Sequence, residues 1–372
     1  MKNAIHHVTL FTGDQVLEDH TLVLKGKFIE SFFPSEIHST NADENHFKGL
    51  NVSPGFIDLQ IYGAKGKLFN NNQSIESLVA LSEYTQDSGC TRFLVTLSTS
   101  NHDTIIKAIK TVRQGLEMKV PGLLGLHLEG PFINPKKRGA HIESWVSKPS
   151  VKLLRELISE GEGCLRMMTV APEQFEPDQL ELLVKAGILI SAGHSEATYS
   201  QSIESFNHGI RAATHLFNAM TQLGSREPGL TGAILNHPEV RASIIADGIH
   251  CDFKSLEIAK KIMGDRLYLI TDSVTDSNEG AYHFIKGENR YITESGTLAG
   301  SALKMITAVQ NCTKFAGISL IESLRMATIY PARLLNLTPD LGILKPGALA
   351  DLVFFDSEFQ VKHVFYEGVR KV

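Results

Sequence analysis

Eight short apolar runs recur through the middle of this chain, near residues 54–62, 91–99, 122–129, 166–172, 188–194, 211–217, 242–250 and 267–273. A strand buried on both faces reads as a continuous hydrophobic stretch rather than an alternating one. Most of the gaps carry helical periodicity, as in Ile75–Ser88 and Asp178–Ala186. The second of these has a start and a stop: Asp178 can cap it, and Gly187 follows its last turn. Strand–helix repetition implies parallel βαβ units. Eight units predict an α/β fold closed as a (β/α)8 TIM barrel. An open doubly wound sheet would want a glycine-rich phosphate turn after an early strand, and Gly63-Ala64-Lys65-Gly66 is a poor match.

The two ends differ from the middle. Val8–Phe11 and Thr21–Leu24 read as strands with the turns Thr12-Gly13-Asp14 and Lys25-Gly26-Lys27 between and after them. Asp351–Phe355 and Val361–Tyr366 read the same way, after a turn at Gly342–Gly347. The expectation is one small β module from residues 1–50 plus 340–372, and a barrel over 51–339. A chain of 372 residues accommodates both.

Bulk properties exclude several classes. The net charge of −5, without long blocks of one sign, implies no general affinity for nucleic acid. No apolar span reaches the roughly 18 residues of a membrane helix. The start, Met1–His7, lacks a signal-peptide core, so a cytoplasmic location is expected. Cys90, Cys164, Cys251 and Cys312 are scattered, against both a disulfide framework and a thiolate zinc site.

Four of the runs end on residues that bind metals or carry protons. Leu123–Leu128 leads into Glu129, Ile188–Gly193 into His194, Arg211–Thr214 into His215, and Leu267–Thr271 into Asp272. In a βα barrel, catalytic groups sit at the C-terminal ends of the strands. Two neutral imidazoles and a carboxylate suit Zn²⁺ or Fe²⁺ and leave a position open for water, whose pKa the ion lowers. Any one of these histidines alone reads as a satisfied polar residue at a strand end. Glu129 and the two histidines together, at equivalent points of different strands, read as a metal site. Asp272 suits a general base and acid, although Thr-Asp-Ser also suits an Asx turn. His141 and His250 can donate to a substrate oxygen, or be solvated loop residues. Arg226 is an anion candidate, or a bridge to Glu227. The Lys136-Lys137-Arg138 cluster is solvated or attracts a phosphate. Gly296–Ala302 reads as a small-residue loop opening a helix at about Leu303, where backbone N–H groups can approach a ligand.

Longer segments carry a resemblance. They include Pro54-Gly55-Phe56-Ile57-Asp58, His127-Leu128-Glu129-Gly130-Pro131-Phe132, Gly193-His194-Ser195-Glu196 and Thr214-His215-Leu216-Phe217-Asn218-Ala219-Met220. They continue through Ala246-Asp247-Gly248-Ile249-His250, Thr271-Asp272, Gly296-Thr297-Leu298-Ala299-Gly300-Ser301 and Ala327–Arg333. Essentially end to end, the chain resembles the N-acetylglucosamine-6-phosphate deacetylases of the amidohydrolase superfamily. The resemblance implies a barrel with a small β-sandwich from both termini. It implies Glu129, His194 and His215 as ligands of one divalent metal, Zn²⁺ or else Fe²⁺. Asp272 becomes the acid/base, and His141 contacts the scissile amide and stabilises its oxyanion. Ala140, His141, Asn218, Ala219, Asp247, His250, Leu298, Ala299 and Gly300 fall at the substrate. Arg226 binds the phosphate across a homodimer interface.

Two departures from the pattern matter. Many amidohydrolases carry His-x-His on the first strand, supporting a second metal. Here the stretch is Asp58-Leu59-Gln60-Ile61-Tyr62, so one metal is expected. After Asp272, Ser273-Val274-Thr275-Asp276-Ser277 stands where an Ala-Thr-Ala-Pro-like stretch is usual. The expected reaction is hydrolysis of the acetamido group of N-acetyl-D-glucosamine 6-phosphate to the amine and acetate. Alternatives are N-acetylgalactosamine 6-phosphate as substrate, a two-metal cyclic amidase, and a sensor that only binds amino-sugar phosphates. No lysine ends a predicted strand, which disfavours the cyclic amidase.

Overall fold

The protein is described by a computed structural model over residues 2–35 and 47–372. The stretch 36–46 of the expected N-terminal module lies outside the described residues. Eight strands form the barrel sheet in chain order: Phe56–Ile61, Cys90–Ser98, Leu123–Glu129, Leu165–Val170, Leu189–Ala192, Ala212–Ala213, Arg241–Ile244 and Leu267–Leu269. Every residue of the first two is buried, which explains their unbroken apolar reading. The register is parallel, with Ser98 opposite Glu129 and Glu129 opposite Thr169. The first and last strands meet beyond the eighth strand's end. Asp272 N–H donates to Gln60 O (3.0 Å) and Tyr62 N–H to Ser273 O (2.9 Å).

The later strands are shorter than their apolar runs. The reason is local: His194, His215 and Asp272 adopt positive φ of 49°, 37° and 54°, which ends the ladder before each of them. The helices follow their amphipathic pattern. His102–Glu117 buries Ile105, Ala108, Ile109 and Val112, and Asn101 caps it by accepting from Thr104 N–H. The helix expected from Asp178 begins at Pro177 and is capped by Glu176, not by Asp178. Proline fixes φ for the first turn, and Gln179 reaches back to Glu176 N–H at 3.0 Å, so Asp178 is already inside the helix.

The termini form a seven-stranded sheet. Leu352–Phe355 runs antiparallel to Asn51–Pro54, which in turn runs parallel to Lys2–Phe11. This sheet folds over a core of Val8, Leu10, Leu22, Leu24, Val52, Leu352 and Phe354, giving the expected β-sandwich from the two ends. The chain divides into two compact units. One is Met1–Asp58, Glu83–Arg92 and Lys304–Val372, and the other is Leu59–Ser82 and Phe93–Leu303. The first takes in more chain than the expected terminal module, because the helices between Met305 and Leu334 belong to it. Within it, Arg92 Nε donates to Asp351 Oδ2 at 2.7 Å and the guanidinium stacks on Tyr366. Among the described residues no helix is long and apolar enough to cross a membrane. Among the described residues no disulfide forms, and all four cysteines are buried.

Candidate active site

Three strand ends bring together three atoms of types that bind metals. Glu129 Oε1 lies 3.2 Å from His194 Nε2 and 3.2 Å from His215 Nε2, and the two Nε2 atoms are 3.0 Å apart. A tetrahedral metal with bonds of about 2.0–2.1 Å has ligand–ligand edges of roughly 3.3–3.4 Å. The residues present fit such an ion. His141 joins the group on the other carboxylate oxygen, with Nε2 3.1 Å from Glu129 Oε2.

Tautomers separate the ligand from the donor. His194 Nδ1 faces the carbonyl of Lys137 at 2.9 Å, and a carbonyl only accepts, so Nδ1 carries the hydrogen and Nε2 keeps its lone pair. His141 is the reverse. Its Nδ1 accepts from the backbone N–H of Thr99 at 3.3 Å, so in the neutral ring the hydrogen sits on Nε2 and points to Glu129. Among the described residues the buried His215 Nδ1 meets no hydrogen-bond partner, and its Nε2 is the atom aimed at the cluster. All four groups are buried. Burial raises the Glu129 carboxyl, but the histidine contacts outweigh it and hold the group well below the usual range. Burial pushes His141 and His215 down, favouring the neutral rings. For His194 the neighbouring carboxylate outweighs burial and the shift is upward.

The first strand supplies what the sequence reading missed. Gln60 Nε2 lies 3.0 Å from Glu129 Oε1, 2.8 Å from Asp272 Oδ1 and 2.7 Å from Tyr62 Oη. Tyr62 donates its hydroxyl to Glu129 Oε2 at 2.5 Å. Burial and the nearby Glu129 charge push the Tyr62 phenol well up, so it stays neutral. Gln60 and Tyr62 alternate along one strand at the His-x-His positions. That spacing was the available signal, although alone it reads only as two missing ligands. Thr99 has no signal of its own in the sequence.

A cavity of about 330 Å³ opens over the cluster. It is lined by Ala140, His141, Asn218, Ala219, His250, Asp272 and Leu298–Gly300, besides Glu129, His194 and His215. Tyr62, Ser98, Lys136, Lys137, Gly139, Tyr282 and Phe284 complete its wall. Gly296–Ala302 is not a plain loop. Leu298–Ser301 is a strand, pinned by Ser301 N–H donating to Asp272 O at 2.9 Å, and the next helix starts at Met305. Two expected residues do not line the cavity. Arg226 is exposed outside it. Asp247 stands behind His250, with Oδ2 2.6 Å from His250 Nδ1, and so touches the histidine rather than the cavity. The physical reason is its turn: Asp247 Oδ1 accepts the N–H groups of Ile249 and His250, both at 2.8 Å, which turns the carboxylate inward.

His194, His215 and Asp272 share left-handed backbone with Phe217 (78°) and Ala219 (49°). Such conformations cost on the order of 1–3 kcal/mol each and cluster where geometry serves function. The arrangement offers a cation site, a carboxylate beside it, and an N–H donor facing the same space. That is the equipment of hydrolysis.

Residues 51–371 match the model of the amidohydrolase family. The chain is 34% identical over 372 residues to an N-acetylglucosamine-6-phosphate deacetylase of Haemophilus influenzae, covering 97% of each. It is 32% identical to an N-acetylgalactosamine-6-phosphate deacetylase of Shewanella sp., over 88% of this chain and 85% of the relative. The crystal structure of N-acetylglucosamine-6-phosphate deacetylase from Pasteurella multocida superposes with a TM-score of 0.93 at 31% identity, with all of both chains covered.

Proposed function

The chain belongs to the amidohydrolase family, and from that premise we infer that it is a metal-dependent enzyme hydrolysing N-acetyl-D-glucosamine 6-phosphate to D-glucosamine 6-phosphate and acetate. The observation that carries this reading is the single cavity in which Glu129, His194 and His215 converge beside Asp272.

Glu129, His194 and His215 hold one divalent ion. Zn²⁺ suits two imidazoles and a carboxylate, and Fe²⁺ accepts the same set. Bound there, the ion supplies Lewis acidity and lowers the pKa of its water. Gln60 and the neutral Tyr62 occupy the first-strand positions and donate to Glu129, which supports one ion rather than two. Asp272 takes a proton as water attacks the acetyl carbonyl and returns it to the amine nitrogen as the C–N bond breaks. His141 Nε2–H donates to the carbonyl oxygen as it becomes anionic. Asn218, Ala219 and the Leu298–Gly300 strand wall the sugar. Lys137 gives the rim a positive charge that suits a phosphate, while Lys136 pairs with Glu196 Oε2 at 3.2 Å. Arg226, exposed and outside its own cavity, serves the neighbouring subunit of a homodimer. A cytoplasmic setting suits a phosphorylated substrate.

Replacing Asp272 by Asn preserves the fold and the bound metal but lowers kcat by about 10²–10⁴-fold. Near-wild-type turnover of that variant rules out the assigned role. The Shewanella relative favours a second reading, the C4 epimer. Acetate-release kinetics on both epimers, with and without the 6-phosphate, decide between them. The gluco 6-phosphate is expected to have the highest kcat/KM, and a higher value for the galacto 6-phosphate reassigns the substrate.

A further inference from the structure

His250 lines the cavity, but its chemistry is set from behind. Its Nδ1 lies 2.6 Å from Asp247 Oδ2, and both side chains are nearly buried. The other carboxylate oxygen of Asp247 accepts two backbone N–H groups, from Ile249 and His250, each at 2.8 Å. The carboxylate is therefore held in one orientation by the turn that carries the histidine. Ionised carboxylate oxygens only accept, so the hydrogen of this contact belongs to Nδ1.

We propose that Asp247 is a positioning residue that locks His250 as the Nδ1–H tautomer, so that Nε2 meets the substrate as a hydrogen-bond acceptor. Burial alone raises the Asp247 carboxyl, yet the bonds from His250 and the backbone hold it below its usual value, so it stays ionised behind the ring. Nε2 lies 4.0 Å from Asp272 Oδ2. That gap is too long for a direct hydrogen bond, so the two side chains can each reach a different atom of one substrate. The remainder rests on the deacetylase reading. If Asp272 serves the nitrogen on C2, His250 accepts from a hydroxyl on a carbon next to C2. The geometry resembles the logic of a carboxylate that orients an imidazole without touching substrate. It differs from His141, whose Nε2 is a donor. The two histidines thus present opposite polarity to one ligand, which selects for a carbonyl at one place and a hydroxyl at the other.

The test is a double-mutant cycle in the metal-loaded enzyme. Asp247→Asn offers an amide N–H to Nδ1 and drives the ring hydrogen to Nε2, so kcat/KM for N-acetylglucosamine 6-phosphate falls by about 10–100-fold. His250→Gln can accept through Oε1 without help from Asp247. On that background Asp247→Asn changes kcat/KM by less than about twofold. An equal loss in both backgrounds, or no loss in the wild type, overturns the proposal. Nitrogen-15 NMR of the wild-type histidines, with His250 assigned by its disappearance in His250→Gln, reads the tautomer without any turnover. Nδ1 protonated with Nε2 bare supports the proposal, and a protonated Nε2 overturns it. If Asp247→Asn does not fold, this measurement still decides. If the wild type releases no acetate, the deacetylase reading fails while the tautomer is still tested.

Discussion

His141 and His194 touch the same carboxylate and yet do opposite jobs, because one leans on a backbone N–H and the other on a backbone carbonyl. That distinction is invisible in the sequence, where both are histidines in strand-end loops. The convergence of these side chains was legible, since Glu129, His194 and His215 each end an apolar run. The hydrogen-bond partners were not, because Gln60 meets Glu129 and Asp272 only when the first and last strands close on each other. Tyr62 tests the importance of that surrounding shell. Tyr62→Phe removes the donor to Glu129 Oε2 and is expected to weaken metal binding by about 10–100-fold in a chelator competition. Unchanged affinity would place Tyr62 outside the site's support. Asp247 gives a pH prediction. Its folded pKa lies below the usual 3.8, so its contribution is present above that value and is lost as pH falls through the lower folded value. The Tm difference between wild type and Asp247→Asn should shrink as pH falls below about 4. A difference that grows in acid contradicts the assigned sign.

At the scale of elements, the strand ends and the segments beyond them act together. The eight runs marked the strands well because barrel strands buried on both faces have little room for polar residues. Their C-terminal boundaries were overrun because left-handed residues terminate pairing without changing the hydrophobic pattern. The segment after Asp272 was legible only as unusual. The structure shows its hydroxyls in use: Thr275 Oγ1 accepts from Gly66 N–H at 3.0 Å, and Ser277 Oγ accepts from Asn71 Nδ2 at 2.8 Å. Asn71 also donates to Tyr282 O and accepts from Ala281 and Tyr282 N–H. Tyr282 in turn lines the cavity and donates to Thr99 O. Asn71→Ala should free residues 277–284, raising their hydrogen exchange by an amount equivalent to about 1–3 kcal/mol and raising KM. Unaltered exchange would show that the clamp is redundant. On the opposite side of Asp272, Gly300 has φ +149°, and a Cβ there would meet Val274 Cγ1 at 2.6 Å and Asp272 O at 3.0 Å. Gly300→Ala should therefore displace this strand from Asp272, lowering kcat and costing about 1–3 kcal/mol in denaturant unfolding.

At the scale of the molecule, both ends of the chain enter one sheet, and that pairing was readable from their matching short strands and glycine turns. The helices grouped with that sheet were not readable as such, since their amphipathic pattern is the same whichever core they cover. Within that unit the buried Arg92–Asp351 pair joins sequence positions far apart. Removing Arg92 alone leaves a buried carboxylate and should cost about 3–5 kcal/mol. Under the proposed function, deacetylation requires one metal ion held by Glu129, His194 and His215. The most direct measurement strips the enzyme with a chelator and titrates back Zn²⁺ or Fe²⁺, while bound metal and acetate release from N-acetylglucosamine 6-phosphate are followed together. The account predicts no activity in the stripped protein, a linear rise, and a break at one ion per chain. Activity that persists without metal, or a break at two ions per chain, would contradict it.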